Sequence, residues 1–368
     1  MTAPPIPLLN RKGEILRLSH SAASVFKVCP EKYYLQKKWR PPLNASALPF
    51  GKAIEHGVDA LLEGKTLTDA LAEFKRTWTV SPATKWSEAK PIFDSLDVFY
   101  YASDFDENVL QDVDKKILSA WGEELLEKED WKAVYESVKK QISQGATVVN
   151  EERRIYHRVM WLCCRRRGIE MIKAFYNEIL PQIEDVIAIQ KQINLENEEG
   201  DSIIGYIDYI VKHKDYDYPI IVDLKTAGKI YEQHDLDTSD QLRLYAAAEN
   251  IKHIGYMVLL KKIKSEKSCD KCGHVRENYR LTKCAECGKG KYKAQKLKAG
   301  AQFLIKEVKE KEMDSVLNDI SDIGVAIKNN IKWKNPDSCF MYNKKCDYYD
   351  ACWGDKTVEQ LKGEYENE

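Results

Sequence analysis

Gly205-Tyr206-Ile207-Asp208, with its apolar continuation, and, after a polar turn, Ile220-Ile221-Val222-Asp223-Leu224-Lys225-Thr226 are the stretches that decide how this chain is read. Two short apolar runs joined by a polar turn predict a β-hairpin. Side chains alternate faces along a strand, so Asp223 and Lys225 share one face while Val222 and Leu224 share the other. A hairpin that sets Asp208 beside Asp223 brings two carboxylates and an ammonium to one spot. Carboxylates hold a hard divalent cation such as magnesium, and a lysine next to it can steer or deprotonate a metal-bound water. Taken alone, an Asp-x-Lys on a strand is usually an edge or surface pair, so its neighbours have to decide.

Upstream, Phe50-Gly51-Lys52-Ala53-Ile54-Glu55-His56 places a histidine inside a helix expected over Gly51–Leu62. Downstream, Gln241-Leu242-Arg243-Leu244-Tyr245 falls in a helix expected over Ser239–Asn250, with Gln241 and Tyr245 four apart and therefore on one face. Singly, His56 reads as a packed or solvated histidine, and Gln241 with Tyr245 as a helix rim. In this order the four motifs resemble the PD-(D/E)XK nuclease superfamily. Within it they resemble the RecB-like branch, which includes the CRISPR-associated RecB-like exonucleases and the AddB nuclease domain. The resemblance spans most of the chain; its motifs are short, and their order carries the weight.

The resemblance implies an α/β restriction-endonuclease-like core, a mixed sheet flanked by helices. It implies a site for magnesium or manganese with Asp208 and Asp223 as main ligands, completed by the Leu224 carbonyl and the His56 imidazole. Imidazole is softer than carboxylate and makes manganese more acceptable. Lys225 would position the attacking water, and Gln241 and Tyr245 would orient the strand or the lysine. The implied activity is that of a metal-dependent DNA exonuclease or end-processing nuclease in recombination, repair or replication. A catalytically inactive DNA-binding scaffold and an RNA-directed nuclease are the alternatives; the intact acid and lysine set favours the first reading. The chain has no convincing ATPase motif. Gly64-Lys65-Thr66 lacks the earlier glycine of a phosphate loop, so a helicase or recombination partner would be a separate chain.

Ten cysteines suggest metals before disulfides in a cytoplasmic chain. Cys269-x-x-Cys272 and Cys284-x-x-Cys287 make two thiolate clips, a zinc-ribbon signature, with redox dithiols as the alternative. Gly273 and Gly288 follow the clips, where a knuckle turn favours a residue that tolerates positive φ. Cys29 near one end, with Cys339, Cys346 and Cys352 near the other, is similar to the arrangement in iron–sulfur RecB-like nucleases and implies a 4Fe-4S cluster. The spacing from Cys339 to Cys346, six residues, is longer than in the usual pattern, and zinc or free thiols stand as alternatives. Cys163 and Cys164 are adjacent in an expected helix, face different ways, and read as buried thiols.

The net charge of −1 conceals an asymmetry: Lys261–Gly300 holds thirteen basic residues against four acids, and Asp94–Asp130 twelve acids against three bases. Basic clusters supply phosphate affinity, although a solvated lysine-rich loop looks the same. The hydrophobic fraction of 43% allows a sizeable core. No run is long enough to span a membrane, and Met1–Ser19 has no apolar segment with a cleavage site. The expectation is a cytoplasmic protein of a bacterial or phage-infected cell that binds DNA, single-stranded or at ends. The expected organisation is an N-terminal helical segment (1–65) and a helical insertion (66–150) with turns at Pro82 and Pro91. A nuclease core (151–265), the ribbon (266–295) and a C-terminal helix with the cysteine-rich cap (296–368) follow. A long helix should run from Glu151 to Leu180, stopped by Pro181, and a last one from Ala301 to Asn329.

Overall fold

The computed structural model describes residues 16–41, 47–78, 131–143, 151–196, 201–261, 299–341 and 345–367, with parts of 110–119 and 267–294. The expected turns at Pro82 and Pro91 lie outside these residues. The strands are β1 (Arg17–Ser19), β2 (Ile183–Glu196), β3 (Ser202–His213), β4 (Pro219–Ala227), β5 (His253–Leu260), β6 (Lys267–Cys269), β7 (Tyr292–Ala294) and β8 (Gly300–Glu307). All but β6 and β7 join one mixed six-stranded sheet.

β3 organises that sheet. β2 lies antiparallel along one edge. On the other edge β1 pairs in parallel with Ser202–Ile204, and β4 pairs antiparallel with Tyr209–Lys212. Gly205–Asp208 fall between the two and have no ladder partner on that edge among the described residues. The sheet therefore forks at Asp208. Beyond the fork β4 runs parallel to β5, and β5 antiparallel to β8.

Helices cover both faces: α1 (His20–Val28), α2 (Pro30–Lys38), α3 (Ala47–Leu62), α4 (Leu67–Thr77), α5 (Trp131–Ser143), α6 (Glu151–Ala174), α7 (Gln233–Asp237), α8 (Asp240–Glu249), α9 (Glu310–Lys328), α10 (Tyr349–Cys352) and α11 (Val358–Asn367). Strand alternation sorts the core into two layers. Tyr209, Val211, Ile220 and Val222 pack against Ile54 and Val58 of α3 and Trp161 of α6. Ile210, Ile221, Ile254 and Val258 pack against Phe26 of α1, Leu242 of α8 and Val316 of α9. Each such fully buried side chain contributes about 1.5–3 kcal/mol. The mixed sheet flanked by helices expected from sequence is the fold observed.

Several boundaries differ from expectation. The helix expected over Ala301–Asn329 starts only at Glu310, because Gly300–Glu307 is strand β8. Phe303-Leu304-Ile305 is a short apolar run that periodicity alone cannot assign, and pairing with β5 decides it. Gly255 permits that pairing: a Cβ there would sit 2.6 Å from the Leu304 carbonyl oxygen. The ribbon is thus inserted between two antiparallel neighbours, β5 and β8. Arg17–Ser19, ahead of the first helix, is strand β1. Phe26 and Tyr33 lie on two helices, broken at an extended Cys29 with Pro30 opening α2, where a proline's missing N–H costs nothing. The long helix leaves α geometry at Ala174 and ends through a π turn, Phe175–Ile179, and a 3-10 turn, Leu180–Gln182. Gly64 (φ +81°) and Thr66, which caps α4, form a plain interhelical turn.

Two ionic ties hold the layers together. Asp201, fully buried before β3, accepts the Leu16 N–H at 2.6 Å and pairs with Lys328 at the end of α9, itself 5% exposed. Asp201→Ala would leave that ammonium buried without its carboxylate, and should cost about 3–5 kcal/mol in a urea titration. Glu312 accepts from Lys306 Nζ and from the Lys309 N–H, both at 2.9 Å, and lies 3.3 Å from Arg243 of α8. The Lys306 hydrogen bond, then the Lys309 N–H, hold its carboxyl down at about 2. A depressed carboxyl stabilises the fold above its unfolded value of 4.5, and that contribution fades as pH falls through about 2. Glu312→Gln should therefore cost about 1–2 kcal/mol at neutral pH, with the gap to wild type closing as pH approaches 2.

Candidate active site

The last ladder pair of β3 and β4 is Tyr209 with Val222, and one step further along both strands stand Asp208 and Asp223. The ladder stops there. In its place Asp208 Oδ2 accepts the Leu224 N–H at 2.9 Å, so a backbone donor of β4 fixes the carboxylate at the fork. Lys225 Nζ lies 2.5 Å from Asp223 Oδ2, the lysine side chain 34% exposed and the aspartate 6%. That contact is a charge-assisted pair in which the Lys225 ammonium sits on the buried Asp223 oxygen and favours its ionised form. A carboxylate offers about four lone-pair positions and the ammonium takes one of them, so the two adjoining acids still suit a hard divalent cation.

The electrostatics agree. Burial first, then the Asp223 charge, pushes Asp208 up to about 7. Burial raises Asp223 too, against the pull of Lys225. Burial works to lower the Lys225 ammonium, but the Asp223 carboxylate outweighs it and keeps the lysine charged. Two desolvated carboxyls that resist ionising together are stabilised by a bound cation.

A cavity of about 260 Å³ opens beside them, its wall including Gly51, Lys52 and Glu55 of α3 with Asp208, Leu224 and Lys225. Asp223 is buried behind that wall. His56, the expected ligand, is not part of it. Successive residues of a helix are about 100° apart, and it is Glu55 that shares the cavity face with Gly51 and Lys52. His56 lies within electrostatic reach of Asp59, which accepts the Tyr209 hydroxyl at 2.7 Å. The Glu55 charge bears on both Asp208 and Asp223. Sequence reasoning missed Glu55, although its place one turn after Gly51 was a usable signal. Among the described residues, no three of the cleft's acids and histidine come within 4.8 Å of one another.

Gln241 Nε2 donates to Tyr245 Oη at 3.1 Å, so the two expected partners on α8 do meet. Tyr245 packs over Gly205: a Cβ there would lie 2.8 Å from the ring. Glycine at the fork makes the room that lets Tyr245 approach within electrostatic reach of Asp223 and Asp208. Tyr256 stands under Lys225, whose Nζ is 5.8 Å from the ring centre, and its hydroxyl bonds Ser239 Oγ at the start of α8. His20, opening α1, is a second residue missed from sequence. Burial lowers its pKa, and Asp240, Lys27 and Lys225 act on it.

A model of the PD-(D/E)XK nuclease superfamily matches residues 17–352. The chain belongs to the PD-(D/E)XK nuclease superfamily. A search of curated proteins finds no match. Nucleases of this superfamily use divalent metals, and the adjoining Asp208 and Asp223 carboxylates are a donor set that suits one.

The nuclease carries a second metal-type site. The Sγ atoms of Cys269, Cys272, Cys284 and Cys287 all lie within 4.8 Å of one another, with Cys269–Cys287 at 3.6 Å and Cys272–Cys284 at 3.5 Å. A tetrahedron with bonds of about 2.3 Å has edges of about 3.8 Å, so the four sulfurs fit one ion. Backbone N–H groups point at them, from Lys271 to Cys269, Cys287 to Cys284 and Gly290 to Cys287. Gly288 has φ +63°, as a knuckle requires, and a Cβ on Gly290 would fall 2.1 Å from Cys269 Sγ. The N–H groups of Lys289 and Gly290 lower the Cys287 thiol. Gly273 lies outside the described residues.

The chain ends of the nuclease also meet. Asn335 Nδ2 donates to the Val28 carbonyl at 2.8 Å, and Tyr348 Oη to that of Trp39 at 2.8 Å. These ties set Cys29 beside the segment with Cys339, Cys346 and Cys352. Cys29 and Cys339 are buried and the other two half-buried. Burial first pushes the Cys352 thiol up to about 11, and Cys29 and Cys339 are close enough to add to it. These four are not gathered to single-ion spacing as the ribbon's are. Cys163 and Cys164 are buried, as expected.

Proposed function

We propose that this nuclease is a magnesium- or manganese-dependent deoxyribonuclease of the RecB-like branch. It acts on DNA ends or single strands, as an exonuclease more than an endonuclease, in recombination, repair or replication. The observation that carries this is the fork: Asp208 and Asp223 on adjoining strands, with a charged Lys225 paired to the buried Asp223. Asp208, Asp223 and the Leu224 carbonyl would hold the cation, with Glu55 rather than His56 as the contribution of α3. A bound cation supplies Lewis acidity and a water of lowered pKa. Lys225, kept protonated by Asp223, orients the attacking water and offsets charge that builds on the phosphorus oxygens. The Gln241–Tyr245 pair holds the floor of the cleft in register with Gly205.

The donor sets support two further groups: structural zinc on Cys269, Cys272, Cys284 and Cys287, and a 4Fe-4S cluster on Cys29, Cys339, Cys346 and Cys352. Both would act by holding surfaces in place. No described helix is long and apolar enough to cross a membrane, and the proposed setting is the cytoplasm of a bacterial or phage-infected cell, beside a helicase or recombination partner. The test compares linear DNA, the same DNA as a covalently closed circle, and RNA of the same sequence, with magnesium or manganese. Loss of the linear DNA alone is expected. A circle opened at comparable rate would make the protein an endonuclease, and degraded RNA would move its substrate class.

A further inference from the structure

β2 breaks its regular geometry directly opposite Asp208. From Ala188 to Glu196 its register with β3 is continuous, Ile189 with Tyr209 and Lys191 with Ile207, except that Gln190 and Asp208 make no ladder pair. Gln190 has φ +50°. The other described non-glycine residues with positive φ are Asn250 and Asn330, asparagines at helix C-terminal ends, where the left-handed backbone is ordinary. A glutamine in mid-strand is a different matter, because left-handed backbone without glycine is strained and persists only where its surroundings impose it.

The strained residue does one visible thing: its Nε2 donates to Glu55 Oε1. A carboxylate only accepts, so the amide nitrogen must be the atom that faces it. The other donor to Glu55 is Lys52, whose Nζ donates to Oε1 at 3.1 Å and lies 3.0 Å from Oε2, on a side chain that is 59% exposed. Gln190 is therefore the anchor on the protein side. Two donors leave part of the carboxylate's roughly four lone-pair positions open, and Glu55 lines the cavity together with Asp208. On its two edges Asp208 thus meets a missing β4 pair and a missing β2 pair, with Glu55 brought in by the second.

We propose that Gln190 is a positioning residue: its left-handed backbone, opposite Asp208, aims the amide at Glu55 and fixes Glu55 as the third carboxylate of the metal site. This rests on the nuclease reading above. Glycine would suit the backbone better and lacks the amide, which separates a structural role from a positioning one. The experiment measures Mn²⁺ affinity, by the electron paramagnetic resonance signal of free Mn²⁺, on the full zinc-loaded chain. The proteins are wild type, Gln190→Gly, Glu55→Gln, the double variant and Asp223→Ala.

Gln190→Gly should melt at or above the wild-type temperature yet bind Mn²⁺ about ten- to hundred-fold more weakly, as loss of a ligand's hydrogen-bond partner does. Glu55→Gln should weaken binding as much, and the double variant no further, since the two act as one unit. Wild-type affinity in Gln190→Gly, additive losses in the double variant, or a Gln190→Gly protein melting several degrees low would each overturn the proposal. In those cases Asp223→Ala should still bind weakly. Undiminished affinity in Asp223→Ala would instead remove the metal site itself, and with it both readings.

Discussion

Asp223→Asn is expected to slow DNA cleavage by about 10³-fold or more, some 4 kcal/mol of transition-state stabilisation, while the protein melts within a few degrees of wild type. The two halves of that result share a cause. Burial raises the Asp223 carboxyl, so its ionised form costs stability when no cation is bound. A neutral amide of the same shape removes the charge that holds a cation and relieves the fold of a desolvated carboxylate. Lys225 loses its ion partner in the variant, but its side chain is 34% exposed and can reach water. Lys225→Met should be comparably slow, because Lys225 is the charged group within reach of the attacking water. Single-turnover rates on end-labelled DNA with parallel thermal melts measure both quantities. A rate within ten-fold of wild type in either variant would sink the site assignment.

Cys284→Ser is expected to unfold the ribbon and leave the sheet standing. The ribbon's regular structure is a pair of three-residue strands, Lys267–Cys269 with Tyr292–Ala294, and an isolated bridge, Lys283 with Lys291. Two short strands have no independent stability in water. Structural zinc contributes about 10–16 kcal/mol in small zinc domains, far more than these contacts. The β5–β8 pairing that frames the ribbon runs the full length from His253 to Leu260 and does not depend on it. Hydrogen exchange should therefore lose protection at Gly288 and Gly290, whose N–H groups bond the Cys284 carbonyl and Cys287 Sγ. Protection at Ile254–Leu259 should hold. Unchanged protection across the ribbon would mean that no metal organises it.

What the sequence made legible was the chemistry that sits on strong local patterns. Alternation around Asp223 and Lys225, the four-residue spacing of Gln241 and Tyr245, and the paired Cys-x-x-Cys clips each fix a geometry within one element. What it hid depends on how elements meet. Glu55 and His56 are neighbours on one helix, and only the rotation of α3 against the fork puts Glu55 in the cavity wall. Gln190 carries no local mark at all: its positive φ comes from the meeting of β2, β3 and α3. Strand β8 was read as helix because three apolar residues suit either element, and the deciding partner, β5, lies some forty residues earlier across the ribbon. The break at Cys29 was different. Pro30 is a plain helix-start signal that marks the division of α1 from α2.

The most direct test is cleavage of end-labelled single- and double-stranded DNA by protein purified without oxygen, with magnesium or manganese added or withheld, and Asp223→Ala alongside. The account predicts cutting that requires the added cation and vanishes in the variant, with a product ladder that grows from one end. Cutting that persists in the variant would contradict the assignment of the fork as the active site. Tight DNA binding by the wild type with no cutting under any cation would contradict the nuclease itself and leave a DNA-binding scaffold.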